Sequence, residues 1–289
     1  MKINDINCMY YNFYKKIGCL INFLENIQID YNKKKKIFDY KTITKIWLKN
    51  NDLPYVKEIN YDNIDINEKI VIKPINDKCG NGIYIDKRKN LPKKLPENYM
   101  AEEFVYGNNY RIIVYKGRII SIILRTGAHI TGDGINTIEK LINIENENRC
   151  NDTKLYCDLK CKKFLKTILK KNQIYYVNPV SNYAKGGTIK SIDIKKINNE
   201  IKEICNKIYK LLNVNIFGVD FICENIEKNF NNQTYAINEL EFYNDVGLHV
   251  ILKDDTYKLY NILILKWILI ILIIILIFYY FIIKCVRKY

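Results

Sequence analysis

The chain has 289 residues, 48% of them hydrophobic, and 46 Lys and Arg against 31 Asp and Glu give it a formal charge of +15. That length and apolar content support a sizeable core in one large domain or a few small ones. The positive charge would suit nucleic acid or anionic lipid. However, Lys, Asn, Ile and Tyr are inflated throughout, runs such as Lys33–Lys36 lack interleaved aromatics and no zinc-finger spacing occurs, so nucleic acid is not an expected partner. Nine cysteines, an odd number, argue against a full disulfide framework, and Cys150, Cys157 and Cys161 fit no zinc spacing. The polar start, residues 1–7, predicts no secretory segment and a reduced compartment.

Residues 1–30 mix apolar and aromatic groups without a motif, and 1–39 reads as a short N-terminal segment. From Lys41, KTITKIWLKN predicts a helix ending before Pro54. Lys69–Pro74 reads as a strand, followed by a loop holding Gly80 and Gly82 and a second strand at Ile83–Ile85. Met100–Val105 predicts a strand carrying Glu102 and Glu103, and Tyr110–Tyr115 with Arg118–Leu124 a hairpin around Lys116-Gly117. Ile138–Ile142 begins a helix, 143–175 is polar, basic and helical in part, and Asn178–Thr188 is a loop containing Gly186-Gly187. Ile201–Leu212 has helical periodicity, while Ile216–Cys223 and Thr234–Leu240 read as strands. The mixture lacks regular βαβ spacing, which predicts an α+β fold rather than a doubly wound one. Trp267–Ile283, WILIILIIILIFYYFII, is uniformly apolar. With Ile262–Leu265 before it, it predicts a single-pass C-terminal transmembrane helix over 262–283 and a basic tail at 284–289. Both flanks are basic, so charge does not set its direction. Without an upstream signal the rest of the chain is expected in the cytosol.

The chemistry concentrates at two kinds of residue. Strand alternation puts Glu239 and Glu241 on one face, where they repel unless a cation lies between them. If the strand ending in Asp220 is their neighbour, three carboxylates converge on a site suited to Mg2+ and nucleotide phosphates, the alternative being an edge strand with solvated acids. Lys73 at a strand end and Lys41 at a helix start are the complementary cations, each able to fix phosphate oxygens as a point charge. The Gly80–Gly82 loop can cover phosphates with backbone donors, although it is no Walker A loop. A salt-bridged lysine and a plain turn would read the same way. Cys79 has no basic partner in sequence and is not an expected nucleophile.

In chain order these residues form K-P-x-x-x-x-x-G-x-G from Lys73, E-E-F-x-x-G-x-x-Y-R from Glu102 and R-x-x-A-H-x-x-G-D-G-x-x-T-I from Arg125. N-x-x-x-G-G-T from Asn182, G-V-D ending in Asp220, E-x-E at Glu239–Glu241 and the late His249 complete the series. Over about residues 40 to 250 the series resembles the ATP-grasp superfamily, most of all the ATP-grasp domain of cyanophycin synthetase and its glutathione-synthetase-like relatives, which places the domain at 40–255. The resemblance implies two α+β subdomains enclosing ATP, with Mg2+ or Mn2+, and an ATP-dependent carboxylate–amine ligase working through an acylphosphate on an amino-acid or peptide substrate. It implies that Lys41 and Lys73 hold phosphates, that Gly80 and Gly82 belong to a mobile loop over them, and that Glu102, Glu103 and Val105 meet adenine. Asn109 stands where an acid usually holds ribose. Arg111, Arg125 and His129 match the central substrate and phosphate block, and Asn182, Gly186 and Gly187 match the following loop, where Ala184 replaces a common serine. Lys73, Arg125 and Asn182 are the implied catalytic groups. Asp220, Glu239 and Glu241 are the implied metal ligands, Glu241 in place of the usual asparagine, and Asn244-Asp245 replaces Pro-Gly. Such relatives carry an N-terminal substrate domain, so here the substrate surface is expected to be either reduced or supplied by another protein. The alternative is a catalytically weak, membrane-tethered ATP-binding module.

Overall fold

The computed structural model describes residues 3–26, 31–76, 82–147, 149, 154–155, 159–242, 248–249, 252 and 255–286. Three helices open the chain, α1 (Ile3–Glu25), α2 (Tyr31–Asp39) and α3 (Lys41–Asn50), with an extended Tyr40 separating the last two. The first two occupy a stretch in which the sequence shows no motif. In α1, buried Tyr11, Tyr14 and Ile21 alternate with exposed Met9, Phe13, Leu20 and Phe23, so no single apolar face stands out.

A three-stranded antiparallel sheet follows, built from β1 (Lys69–Pro74), β2 (Tyr84–Lys87) and β3 (Tyr99–Glu103) with β1 in the centre. Alternation along β1 sends Ile70 and Ile72 into a core with Tyr61 and Ala101 and turns Val71 and Lys73 to the opposite face.

The chain then forms the hairpin of β4 (Asn108–Tyr115) and β5 (Arg118–Thr126). Its turn residues Lys116 and Gly117 both have positive φ, 47° and 77°, the backbone that matches strand twist in a two-residue hairpin loop. Next come β6 (Ala128–Thr131), α4 (Ile138–Glu147), the short α5 (Leu159–Lys162) and β7 (Ile174–Asn178). Strands β6 and β7 pair, and a small core including Ala128, Ile138, Cys161 and Val177 lies against them. Among the described residues, 143–175 is thus helical in part, at 143–147 and at Leu159–Lys162. The remaining elements are β8 (Thr188–Ser191), α6 (Asn199–Leu212), β9 (Ile216–Cys223), β10 (Tyr235–Glu241) and the C-terminal helix α7 (Asp255–Val286).

The main sheet is antiparallel, in the order β10-β9-β4-β5-β8. One face is covered by α6, whose Ile201, Cys205, Ile208 and Leu212 recur along one stripe and pack with Ile112, Val114, Phe217 and Val219. The Asn198 side chain caps the start of α6, and Asn213 ends it in the left-handed conformation. On the other face, Ile113 and Ile216 pack with Tyr14 and Ile21 of α1 and with Tyr260 and Leu263 of α7. Farther along that face, Asn109, Arg111, Arg125 and Asp220 form a polar patch beside Ile123, which packs with Tyr11 and Leu248.

Residues Tyr257–Ile283 of α7 form a 27-residue stretch long and apolar enough to cross a membrane by length and composition. Its root is packed into the domain, with Tyr260 0% and Leu263 3% exposed. Cys8 is disulfide-bonded, which the expectation of a reduced compartment does not anticipate. Cys79, Cys150 and Cys157 lie outside the described residues.

Candidate active site

A cleft of about 580 Å³ lies where the outward faces of β1 and β3 meet the polar face of the main sheet. Lys73 projects into it from β1. Its Nζ lies 2.9 Å from Glu102 and 3.8 Å from Glu239, and it donates to Asn238 Oδ1 at 3.2 Å. Lys45 of α3 approaches Glu102 from the other side, with Nζ 2.5 Å from the carboxylate and donating to the Val56 carbonyl at 2.8 Å. These three side chains are almost wholly buried, at 4%, 5% and 2% exposure for Lys73, Lys45 and Glu102. Ions removed from water need close partners, and the two lysines share one buried carboxylate. Burial opposes the charge on Lys73, but Glu102 and Glu239 more than offset it and hold its pKa above the ordinary lysine value. For Lys45 burial prevails over Glu102, and the neighbouring Lys73 adds to the lowering of its pKa.

The carboxylates come from two neighbouring strands. In the β9–β10 register Glu239 pairs with Asp220 and Glu241 with Gly218, after an irregularity between Ile237 and Glu239. The register also sets Arg111 opposite Asp220 and Asn109 opposite Arg125. Arg111 grips Asp220 through Nε to Oδ1 and Nη2 to Oδ2 and also reaches Glu241 at 3.1 Å. Arg125 donates to Asp220 Oδ2 at 2.7 Å and from Nε to Asn109 Oδ1 at 2.8 Å. Burial would raise the pKa of Asp220, yet the two guanidinium groups hold it below the usual carboxylate range. Glu241 goes the other way. Burial, with Asp220 and Glu239 close by, outweighs Arg111 and pushes its carboxyl up to about 7. Asp220, Glu239 and Glu241 each offer an oxygen within 4.8 Å of the others. Such an all-oxygen donor set fits a hard cation, Mg2+ or Mn2+.

The expected residues fall into three groups. Lys41, Lys73, Glu102, Glu103, Val105, Asn109, Arg111, Arg125, Asn182, Asp220, Glu239 and Glu241 all line this one cleft. Lys41 Nζ lies 3.5 Å from the Pro74 carbonyl. The carboxylate of Glu102 is held by the two lysines and that of Glu103 by the Lys57 amide at 2.8 Å, which leaves the strand backbone through Val105 along the cleft wall. A second group lies elsewhere. His129 sits on β6 beside Tyr176, with Nδ1 2.9 Å from the Gly127 carbonyl, and does not line the cleft. Gly82 is not among the lining residues either. At φ +64° it fits under the Tyr99 hydroxyl, 2.5 Å from where a Cβ would stand. Gly186 and Gly187 likewise meet Leu155 and the Thr126 carbonyl rather than the cleft. Buried His249 Nδ1 lies 2.5 Å from Ser121 Oγ. Gly80 and Asn244-Asp245 form the third group and lie outside the described residues.

Sequence reasoning missed Lys45, Asn238 and the contribution of α1, whose Tyr11, Lys15 and Cys19 also line the cleft. Lys45 stands one helical turn beyond Lys41, a spacing that puts both on one side of α3 and was the available signal.

No family model matches the chain. The glutathione biosynthesis bifunctional protein GshAB of Clostridium perfringens is 30% identical over 247 residues, covering 74% of this chain and 32% of its own length. Cyanophycin synthetase of Geminocystis herdmanii is 29% identical over 186 residues, covering 55% of this chain and 21% of its own length. The chain therefore spans about a third or less of these curated relatives. Among solved structures, a bifunctional glutathione synthetase from Pasteurella multocida shares the fold with a TM-score of 0.53 at 19% identity, over 81% of this chain and 36% of that one. With the motif order and the shared fold, these likenesses show that the chain belongs to the ATP-grasp superfamily, as a ligase-type domain related to glutathione-synthetase-like and cyanophycin-synthetase-like carboxylate–amine ligases.

Proposed function

We propose that this chain is an ATP- and magnesium-dependent carboxylate–amine ligase. A substrate carboxylate attacks the γ-phosphorus of ATP and ADP leaves, giving an acylphosphate. An amine then attacks the carbonyl carbon, phosphate departs with the carbonyl–oxygen bond, and the amine loses a proton as the amide forms. The observation that carries this reading is a single cleft in which Lys41, Lys73, Arg111 and Arg125 face Asp220, Glu239 and Glu241. Phosphoryl transfer asks little covalent work of a protein and much fixed charge around the phosphoryl oxygens.

In this reading Lys41 and Lys73 hold phosphate oxygens, and Lys45 acts indirectly by sharing Glu102 with Lys73. Asp220, Glu239 and Glu241 hold Mg2+, which neutralises phosphate charge when bound. Asp220 now accepts from both Arg111 and Arg125. Were a cation held by the carboxylates, Arg111 and Arg125 would be released from Asp220 and could donate to phosphoryl oxygens. The backbone from Glu102 to Val105 meets adenine, and Asn182 orients the substrate. The named products of the relatives favour an amino-acid or peptide substrate. The apolar helix Tyr257–Ile283 anchors the chain in a membrane, with the ligase domain on the cytosolic side where ATP is available.

A second reading, an ATP-binding module without turnover, is favoured by Arg125 occupying Asn109 and Asp220 together. One experiment separates the two. The full chain in detergent is given ATP, Mg2+ and pooled amino acids and short peptides, with ADP release and amide products followed by mass spectrometry. Turnover with an amide product is the expected result. Nucleotide binding without turnover leaves the second reading, and absence of nucleotide binding overturns both.

A further inference from the structure

Helix α1 carries two apolar faces. One is buried in the domain through Tyr11, Tyr14 and Ile21. The other points away from it and bears Met9, Phe13, Leu20 and Phe23, exposed by 56%, 52%, 54% and 43%. Their spacings of four, seven and three residues keep all four on one side of a helix. The outward face of a surface helix is normally polar, and a run of large exposed apolar groups marks a contact surface.

The same helix is fastened to the root of α7. Tyr14 donates from its hydroxyl to Asn261 Oδ1 at 2.5 Å, and Tyr260 donates to Asn22 Oδ1 at 2.5 Å. Lys266 Nζ and Trp267 Nε1 both donate to Glu25 Oε1, at 2.5 Å and 2.8 Å. These contacts stop at Trp267. Beyond it, Ile268, Leu269 and each residue from Ile271 to Ile282 are between 47% and 67% exposed. The end of α1 is thus tied to the point where the apolar helix leaves the domain.

We propose that the outward face of α1 lies in the interface of a lipid bilayer, beside the entry point of the C-terminal helix. This rests on the membrane-anchor reading above. Continuity is the first argument, because the stripe belongs to a helix held at the root of a segment whose apolar side chains are bare. Charge is the second. Exposed Lys16 stands within the stripe, able to reach the headgroups on its long stem, and Lys266 with Trp267 stands at the root, the residue types that settle at headgroup depth. A third feature gives the contact a consequence. The flank of α1 that carries Tyr11, Lys15 and Cys19 lines the catalytic cleft, so one helix joins the lipid contact to the wall of the site.

The test uses the full chain reconstituted into vesicles of phosphatidylcholine and phosphatidylglycerol. The photoreactive residue p-benzoylphenylalanine is placed at Phe13, at Leu20 or at Ile275, and illumination is followed by mass analysis of adducts. Lipid adducts at all three positions are expected. Lipid adducts at Ile275 with none at Phe13 or Leu20 overturn the inference while leaving the anchor intact. Protein adducts between two copies at Phe13 or Leu20, in place of lipid, also overturn it. Absence of lipid adducts at Ile275 removes the anchor reading itself, and the inference with it. Two positions on α1 guard against one variant misfolding, and retained nucleotide binding reports the fold of each.

Discussion

Lys73 is both part of the proposed chemistry and part of the buried architecture, because its ammonium and that of Lys45 neutralise the Glu102 carboxylate. From the sequence, removing Lys73 would be expected to spare the fold. The structure changes that expectation. Lys73→Ala strips one partner from a buried ion cluster, and the expected loss is about 3–5 kcal/mol of stability in chemical denaturation, together with a fall in ADP release of about 10²-fold or more. A Lys73→Ala protein as stable as the parent would refute the buried-cluster account. Glu239 is the cleaner probe, since its side chain is 29% exposed and Lys73 keeps Glu102 without it. Glu239→Ala is expected to melt close to the parent and to lose about 10²-fold or more in turnover, the loss appearing as weaker Mg2+ dependence. An unchanged Mg2+ titration would remove Glu239 from the metal site. Lys41, Lys73, Asp220, Glu239 and Glu241 could be singled out from sequence because charged groups at the ends of apolar strands or the start of a helix are conspicuous. For Lys45 the one signal is its spacing from Lys41, because a lysine within KTITKIWLK is otherwise an ordinary helix residue until Glu102, far along the chain, is known to face it.

Elements were legible where one face is apolar over several residues. The span Ile216–Cys223 was read with its observed bounds, because residues on both of its faces are buried and the apolar run is unbroken except at Gly218 and Asp220. Strand β8, Thr188–Ser191, starts where the expected loop ends and has no signal of its own in the sequence, since it is four residues long at the sheet edge and its Lys190 and Ser191 are exposed. Helix α1 carries no motif in its sequence, and its role depends on α7 at the other end of the chain. The join between these helices has its own pH dependence. Burial would raise the pKa of Glu25, but bonds from Lys266, Trp267 and Tyr115 outweigh it and bring the carboxyl below its ordinary value of 4.5. The unfolded chain therefore takes up this proton first as pH falls. The join contributes fully above pH 4.5 and is lost as pH drops through the lowered value. Hydrogen exchange in α1 is expected to stay slow from neutral pH down to that region and then to accelerate, after correction for intrinsic exchange. Glu25→Gln should exchange faster at neutral pH and lose this acid step. Parallel profiles for the two proteins would show that the carboxylate does not hold the helices together.

For the whole molecule, α1 and α7 meet on the face of the main sheet opposite α6, and this sets where the domain can be cut. The core formed by Tyr14, Ile21, Ile113 and Ile216 is completed by Tyr260 and Leu263 from α7, with Trp267 packed at its edge. A cut at residue 258, natural from the sequence because the apolar run follows it, removes both buried side chains and the partners of Glu25 and Asn22. Each large core side chain lost costs about 2–5 kcal/mol, comparable in sum with the whole stability of a typical domain. A cut after Trp267 keeps that core and discards the bare segment. Residues 1–267 are therefore expected to be soluble, to melt cooperatively and to bind ATP with Mg2+ as the full chain does, with stabilisation of about 2.7 kcal/mol at a ligand concentration of 100 times Kd. Residues 1–258 are expected to melt far lower or to aggregate, and the full chain to stay in the membrane pellet through an alkaline carbonate wash. Equal stability of the two truncations would show that the root of α7 contributes nothing to the fold. Aggregation of 1–267, beside a full chain that stays in the wash supernatant, would show that the segment beyond Trp267 packs onto the domain instead of entering lipid.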